Sequence, residues 1–170
     1  MQRIAVIGNT GGGKSTLCTR LGRALDIPVY MIDKIQWKPG WIGESPDIFK
    51  QKHDPLVTLD CWIIDGWGPW EAIETRFQMA DTIIFIDFPL YIHYWWSAKR
   101  QFMCLFRPRP DGPEGCPMLP MTWQLAKTIW YVHTQARPRL LELLDTLRNE
   151  KRVIDIHSPR TLRRFVKAAL

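Results

Sequence analysis

The chain has 170 residues, is 46% hydrophobic and 24% charged, and carries a formal net charge of +6. Such a balance excludes a disordered polyelectrolyte and predicts a single globular domain with a buried core. No apolar run nears the ~18–20 residues that span a bilayer, the N-terminal run reads as a strand and not a signal segment, and Cys18, Cys61, Cys104 and Cys116 share no metal-ligand spacing. A cytoplasmic protein without a membrane partner is the expectation. The excess of basic residues fits an anionic partner without identifying one.

The first strand is predicted at Arg3–Ile7 and the first helix at about Lys14–Leu25. Between them Gly8-Asn9-Thr10-Gly11-Gly12-Gly13-Lys14-Ser15, followed by Thr16, matches the phosphate-binding pattern Gly, four residues, Gly-Lys-Ser/Thr. Glycines 11, 12 and 13 let the backbone bring its N–H groups close to a polyphosphate, and the opening helix adds its orphan N–H groups and dipole. Lys14 is placed to reach the β- and γ-phosphates, and the Ser15 hydroxyl to ligate Mg²⁺.

A second strand is predicted at Pro28–Ile32, ending at Asp33. Ser45-Pro46-Asp47 starts a helix, with Ser45 as cap, that should break or kink near Asp54-Pro55. Strand three is predicted at Cys61–Ile64, ending in Asp65-Gly66; a short helix follows at Glu71–Gln78, then strand four, Thr82–Ile86, ending in Asp87. A long helix is predicted from Leu90 to Phe106, with a Pro- and Gly-dense irregular stretch from Arg107 to Pro117. Helices resume at Met121–Gln135 and Pro138–Arg148; a last strand, Arg152–Ile156, leads into a helix at Arg160–Ala169. This alternation argues for a parallel sheet covered by helices.

Ligands of such sheets collect at the carboxyl ends of the strands, where Asp33, Asp65 and Asp87 stand. Asp65 is the leading candidate for Mg²⁺, with Ser15. Asp33 is better placed to bind or deprotonate an acceptor hydroxyl, whereas Asp87 can simply start the long helix. Positive charge for a transferred phosphoryl group is expected from Lys99, Arg100, Arg107, Arg109, Arg137 and Arg139, which flank the irregular stretch. A lid-like segment over about residues 99–120 would carry part of that charge. Arg76 is a candidate for the acceptor site, and the tryptophans at 37, 41, 67 and 70 either stack a planar ring or close the cleft. None of the four histidines pairs with a serine or cysteine, and helix-face or surface roles are expected of them.

In order, the phosphate loop, Asp33 with Trp37-Lys-Pro-Gly-Trp41, Trp62-Ile-Ile-Asp65-Gly66, Arg76, Ala80-Asp81 through Asp87-Phe-Pro89, and Arg107 through Gly-Cys116-Pro117 resemble the adenylate-kinase-related proteins called DNA topology modulation proteins. More distantly the chain resembles nucleoside monophosphate kinases, shikimate kinase and gluconate kinase. The resemblance implies a P-loop α/β fold, five parallel strands ordered 2-3-1-4-5 with helices on both faces, ATP as donor, Mg²⁺ as cofactor and a lid after strand four. It also implies an adenine near Arg100 or the Ser158-Pro159-Arg160 turn. Adenylate kinases carry an arginine in the motif after strand three, where this chain reads Asp65-Gly66-Trp67-Gly68-Pro69-Trp70. The acceptor is therefore open between a nucleoside monophosphate and a hydroxylated metabolite, bound through Asp33, Trp41 and Arg76. The function expected is an ATP-dependent phosphotransferase acting as monomer or homodimer; the alternative is a regulatory nucleotide-binding protein acting on DNA with weak or no kinase activity.

Overall fold

The computed structural model describes residues 1–106 and 112–169. In chain order the first half comprises Arg3–Gly8 (β1), Lys14–Leu25 (α1), Val29–Met31 (β2), Ile32–Gln36 (α2), Trp37–Lys38 (β3), Ile42–Gly43 (β4), Pro46–Val57 (α3), Trp62–Asp65 (β5) and Trp70–Met79 (α4). Thr82–Ile86 (β6), Leu90–Cys104 (α5), Thr122–Tyr131 (α6), Arg137–Leu147 (α7), Arg152–Ile156 (β7) and Pro159–Ala169 (α8) follow. The main sheet has five strands in the order β2-β5-β1-β6-β7, all paired in parallel. Taken by themselves in sequence, those strands run 2-3-1-4-5, as the resemblance implies. The short β3 and β4 form a separate antiparallel hairpin.

Central strands of a parallel sheet are buried on both faces, and here the apolar runs divide alternately between two cores. Ala5 and Ile7 of β1, with Ile83 and Phe85 of β6, pack against Phe49, Phe77, Leu140 and Leu144 of α3, α4 and α7. Their neighbours Ile4, Val6, Ile84 and Ile86 face Leu17 and Leu21 of α1 and Val166 of α8. With β1 in the middle, the phosphate loop emerges at the centre of the carboxyl edge of the sheet.

Several boundaries depart from expectation. Strand two is only three residues long because the chain turns into α2 at Ile32, so Asp33 sits in the first turn of a helix and not at a strand end. The helix α3 does not break at Pro55, which lies in its last turn; Ser45 caps it as expected, its hydroxyl accepting from the Ile48 amide at 3.4 Å. No break separates the two helices before β7 either. A π-helical turn, Val132–Ala136, joins α6 to α7. Pro138 has no N–H and its ring crowds the carbonyl four residues back, and a wider turn absorbs that clash without ending the helix.

Candidate active site

Between β1 and α1 the chain must reverse within Asn9–Gly13, and it does so with left-handed glycines at 11 (φ +76°) and 13 (φ +78°). Gly11 is also a packing requirement. A Cβ there would lie 2.4 Å from Ser97 Oγ and 2.6 Å from the His93 carbonyl oxygen, both on α5.

Three other elements hold the loop, two of them through side chains. Trp67 Nε1 donates to the Gly8 carbonyl (2.8 Å) from the β5–α4 turn, and His93 Nδ1 donates to the Thr10 carbonyl (3.0 Å) from α5. Asn9 accepts from the Thr10 amide through Oδ1 (2.8 Å) and donates from Nδ2 to the Ile129 carbonyl of α6 (2.9 Å). Lys14 Nζ donates back to the Asn9 carbonyl at 3.1 Å. A carbonyl can only accept, so the His93 proton sits on Nδ1. Burial, aided by the nearby charge of Lys14, pushes the His93 pKa down to about 4. The imidazole is neutral at pH 7, a rigid donor and no proton carrier. His53 is also buried, stacked on Phe49. Both histidines sit on helices, as expected, but on the buried faces of α3 and α5.

Register puts Asp65 beside Val6 on the neighbouring strand, level with the start of the loop. There Ser15 Oγ donates to Asp65 Oδ2 at 2.8 Å. A hydroxyl and a carboxylate form a hard-oxygen pair that fits Mg²⁺, an ion that fills its remaining positions with phosphate oxygens and water. Behind this pair lies Arg76, 1% exposed. Its guanidinium donates to the carbonyls of Ala72 (3.3 Å), Gly66 (2.9 Å) and Trp67 (2.6 Å). Burial lowers its pKa to about 10, opposed by the charge of Asp65, so it remains a cation at neutral pH. This corrects the expectation that Arg76 reaches an acceptor. It fixes the Gly66-Trp67 turn from behind.

A cleft of about 1370 Å³ opens over the loop. Its wall includes Gly11–Thr16 of the loop, Asp65 of β5, Asp33 and Gln36 of α2, and the indoles of Trp37, Trp41, Trp67 and Trp70. Lys99, Arg100 and Met103 of α5 and Gln124, Thr128 and Tyr131 of α6 complete the wall. Trp41 holds a left-handed backbone (φ +61°), a conformation unusual for a large residue. It is fastened by its indole, which donates to the Pro117 carbonyl (2.8 Å) and meets Trp37 edge-on at 5.8 Å. The Gly40 amide donates to Gly115 (2.8 Å) and the Cys116 thiol to the Lys38 carbonyl (3.1 Å). The hairpin and the return of the irregular stretch thus clasp over the cleft.

No protein-family model and no curated protein matches the chain. Solved structures do. A shikimate kinase from Aquifex aeolicus vf5 is 19% identical with a TM-score of 0.54, over 98% of this chain and 92% of that one. A shikimate kinase from Acinetobacter baumannii in complex with shikimate is 13% identical, TM-score 0.59, over 99% and 90%. A gluconokinase from Sinorhizobium meliloti 1021 is 16% identical, TM-score 0.56, over 99% and 89%. The chain has the P-loop kinase fold.

On that fold the expected site residues divide. Thr10–Thr16 of the loop, Asp65, Asp33, Trp41 and Arg100 come together around one cleft, whereas Gly8 and Asn9 are not part of its wall. Arg137 does not line it: its Nε and Nη2 donate to Asp87 Oδ1 (2.7 Å) and Oδ2 (2.8 Å), tying α7 to the end of β6. That pairing raises the Arg137 pKa further and gives Asp87 a structural partner. Arg139 lies 4.2 Å over the Trp70 ring and pairs with Glu74 at 3.3 Å. Arg160 is exposed at the start of α8 and is not part of the cleft wall, whereas Arg163, one turn on, is. Arg107 and Arg109 lie outside the described residues. The clamps missed from sequence are Trp67, His93 and Asn9. Only Trp67, two residues past Asp65 in a strand-end turn, carried a signal.

Proposed function

We propose that the protein transfers the γ-phosphoryl group of Mg-ATP to a small acceptor, a nucleotide or a hydroxylated metabolite. The observation that carries this is one cleft whose wall holds the phosphate loop, the Ser15–Asp65 pair, Asp33 and several indoles together. The fold shared with shikimate kinase and gluconokinase supports a small-molecule acceptor, and the resemblance to adenylate-kinase-related proteins supports the same donor.

Ser15 and Asp65 would hold Mg²⁺, which supplies positive charge at the β- and γ-phosphates. Lys14 and the loop amides bind the same phosphates. Asp33, in the same cleft wall, would orient the acceptor and take its proton as the new oxygen–phosphorus bond forms. The bond to the bridging oxygen breaks, and ADP carries that oxygen away. Charge that develops on the transferred group would meet Lys99 and Arg100 of the cleft wall. Trp37, Trp41 and Trp67 exclude the water that would otherwise compete as acceptor.

Calorimetric titration with ATP, with and without Mg²⁺, tests the donor half. Ser15→Ala should lose most of the Mg²⁺ dependence, and Lys14→Ala should lose ATP binding or turnover. Wild-type affinity and turnover in Lys14→Ala would overturn the site.

A further inference from the structure

Helices α5 and α6 turn an unusual surface to solvent. On α5 the spacing four, seven, four puts Tyr91, Trp95, Phe102 and Phe106 in one stripe that continues just past the helix end. The stripe lies opposite the buried His93, Ser97 and Gln101. On α6, Trp123 and Trp130 repeat at seven residues. These six side chains are 57% to 74% exposed. The helices run antiparallel, since Tyr94 Oη donates to the Ala126 carbonyl (3.2 Å) and Gln101 Nε2 to the Met118 carbonyl (3.1 Å). That register sets the two aromatic rows side by side. Monomeric soluble proteins rarely leave so large an apolar patch bare.

The charge of this face says what it meets. From Phe88 to Leu141 the only acids are Asp111 and Glu114, against seven Lys and Arg. No acid lies on α5 or α6, while Lys99 is exposed on α5 and Lys127 sits in the α6 row, its ammonium 5.5 Å from the Trp123 ring. A second copy would press this cationic face against itself, because a two-fold interface uses the same patch on both sides, and no acid there could compensate. A nucleic acid would call for more cations and fewer phenylalanines. Trp and Tyr with a few lysines are the side chains that settle at the boundary between hydrocarbon and headgroups. No helix among the described residues is long and apolar enough to cross a bilayer, so the fit is to its surface.

We propose that the α5–α6 face docks on an anionic lipid bilayer, with the aromatic rows at the acyl boundary and Lys127 among anionic headgroups. The proposal is independent of the catalytic reading, since Trp95, Trp123 and Lys127 are not part of the cleft wall.

The test is sedimentation of the intact protein with vesicles of phosphatidylcholine alone or mixed with phosphatidylglycerol. Binding to the mixed vesicles should exceed that to the neutral ones by about tenfold and weaken with salt. The double variant Trp95→Glu with Trp123→Glu should lose about tenfold or more in vesicle binding with ATP affinity unchanged. If it fails to fold, Lys127→Gln should still weaken binding to the mixed vesicles selectively. No binding to either vesicle would overturn the proposal, as would equal binding to both. So would a dimer in sedimentation velocity, or capture of a single-stranded oligonucleotide, that the tryptophan variants abolish while vesicles are ignored.

Discussion

Replacing Gly11 by Ala tests the packing of the phosphate loop against α5. Two costs combine: a left-handed backbone at φ +76°, worth about 1 kcal/mol for a residue with a Cβ, and a methyl 2.4 Å from Ser97 Oγ and 2.6 Å from a backbone oxygen. The second cannot be relieved by one flexible side chain, and overpacking of this kind costs about 1–3 kcal/mol. Gly40 separates the terms, because it has nearly the same backbone (φ +80°) but nothing within 4 Å of an added Cβ. Gly40→Ala should therefore cost only about 1 kcal/mol, and Gly11→Ala about 2–4 kcal/mol. Calorimetric melting would register the first as a drop of roughly 2–4 °C and the second as roughly 5–15 °C. Titration with ATP should show binding lost in Gly11→Ala alone. Equal melting temperatures for the two variants would refute the claim that the loop is seated against α5.

Trp67→Phe keeps the ring but removes the donor to Gly8, which should cost about 1–2 kcal/mol in urea denaturation and weaken ATP binding; an unchanged midpoint would deny the clamp. Arg76→Met takes the side-chain donor from the Gly66 and Trp67 carbonyls and should destabilise by about 3 kcal/mol or more. If Arg76 instead bound an acceptor, that variant would raise an acceptor KM and leave stability alone. The pKa of His93 falls from 6.5 when unfolded to about 4 when folded, so the unfolded chain binds the extra proton between those values. Its stabilising contribution is whole above pH 6.5 and declines as the pH drops toward about 4, by at most about 1.4 kcal/mol per pH unit. Urea midpoints of His93→Gln should fall less steeply over that window than those of the parent; identical slopes would contradict the assignment. Asp87→Asn should lower the melting temperature by a few degrees, about 1–2 kcal/mol, because it weakens the two-bonded pair with Arg137 without touching the cleft.

The donor half of the site was legible because its chemistry is local in sequence. The loop pattern, the strand before it and the helix after it lie in one unbroken run, Arg3–Leu25, and Asp65 announces itself at the end of an apolar run. Long-range partners are different: nothing in the residues around His93 says that its ring meets the carbonyl of Thr10, and nothing around Asn9 points to Ile129. Arg76 and Arg137 misled for a related reason. An arginine near a phosphate site reads as a ligand, yet three backbone carbonyls in one case and Asp87 in the other satisfy it within the fold. Pro138 misled on helix continuity, since a π turn that spares its missing N–H leaves no mark in composition. The aromatic stripe on α5 has helical spacing, which in sequence reads as core; only exposure shows that it faces outward.

The central claim is that Asp33 serves an acceptor in the same cleft that binds Mg-ATP. It is tested most directly by ADP release from Mg-ATP across nucleoside monophosphates and small hydroxylated metabolites, for the parent and for Asp33→Asn. At least one compound should stimulate release in the parent, and Asp33→Asn should lose that stimulation by about a hundredfold or more while basal hydrolysis changes little. Equal losses of stimulated and basal turnover, or tight ATP binding that no acceptor converts into release, would contradict it.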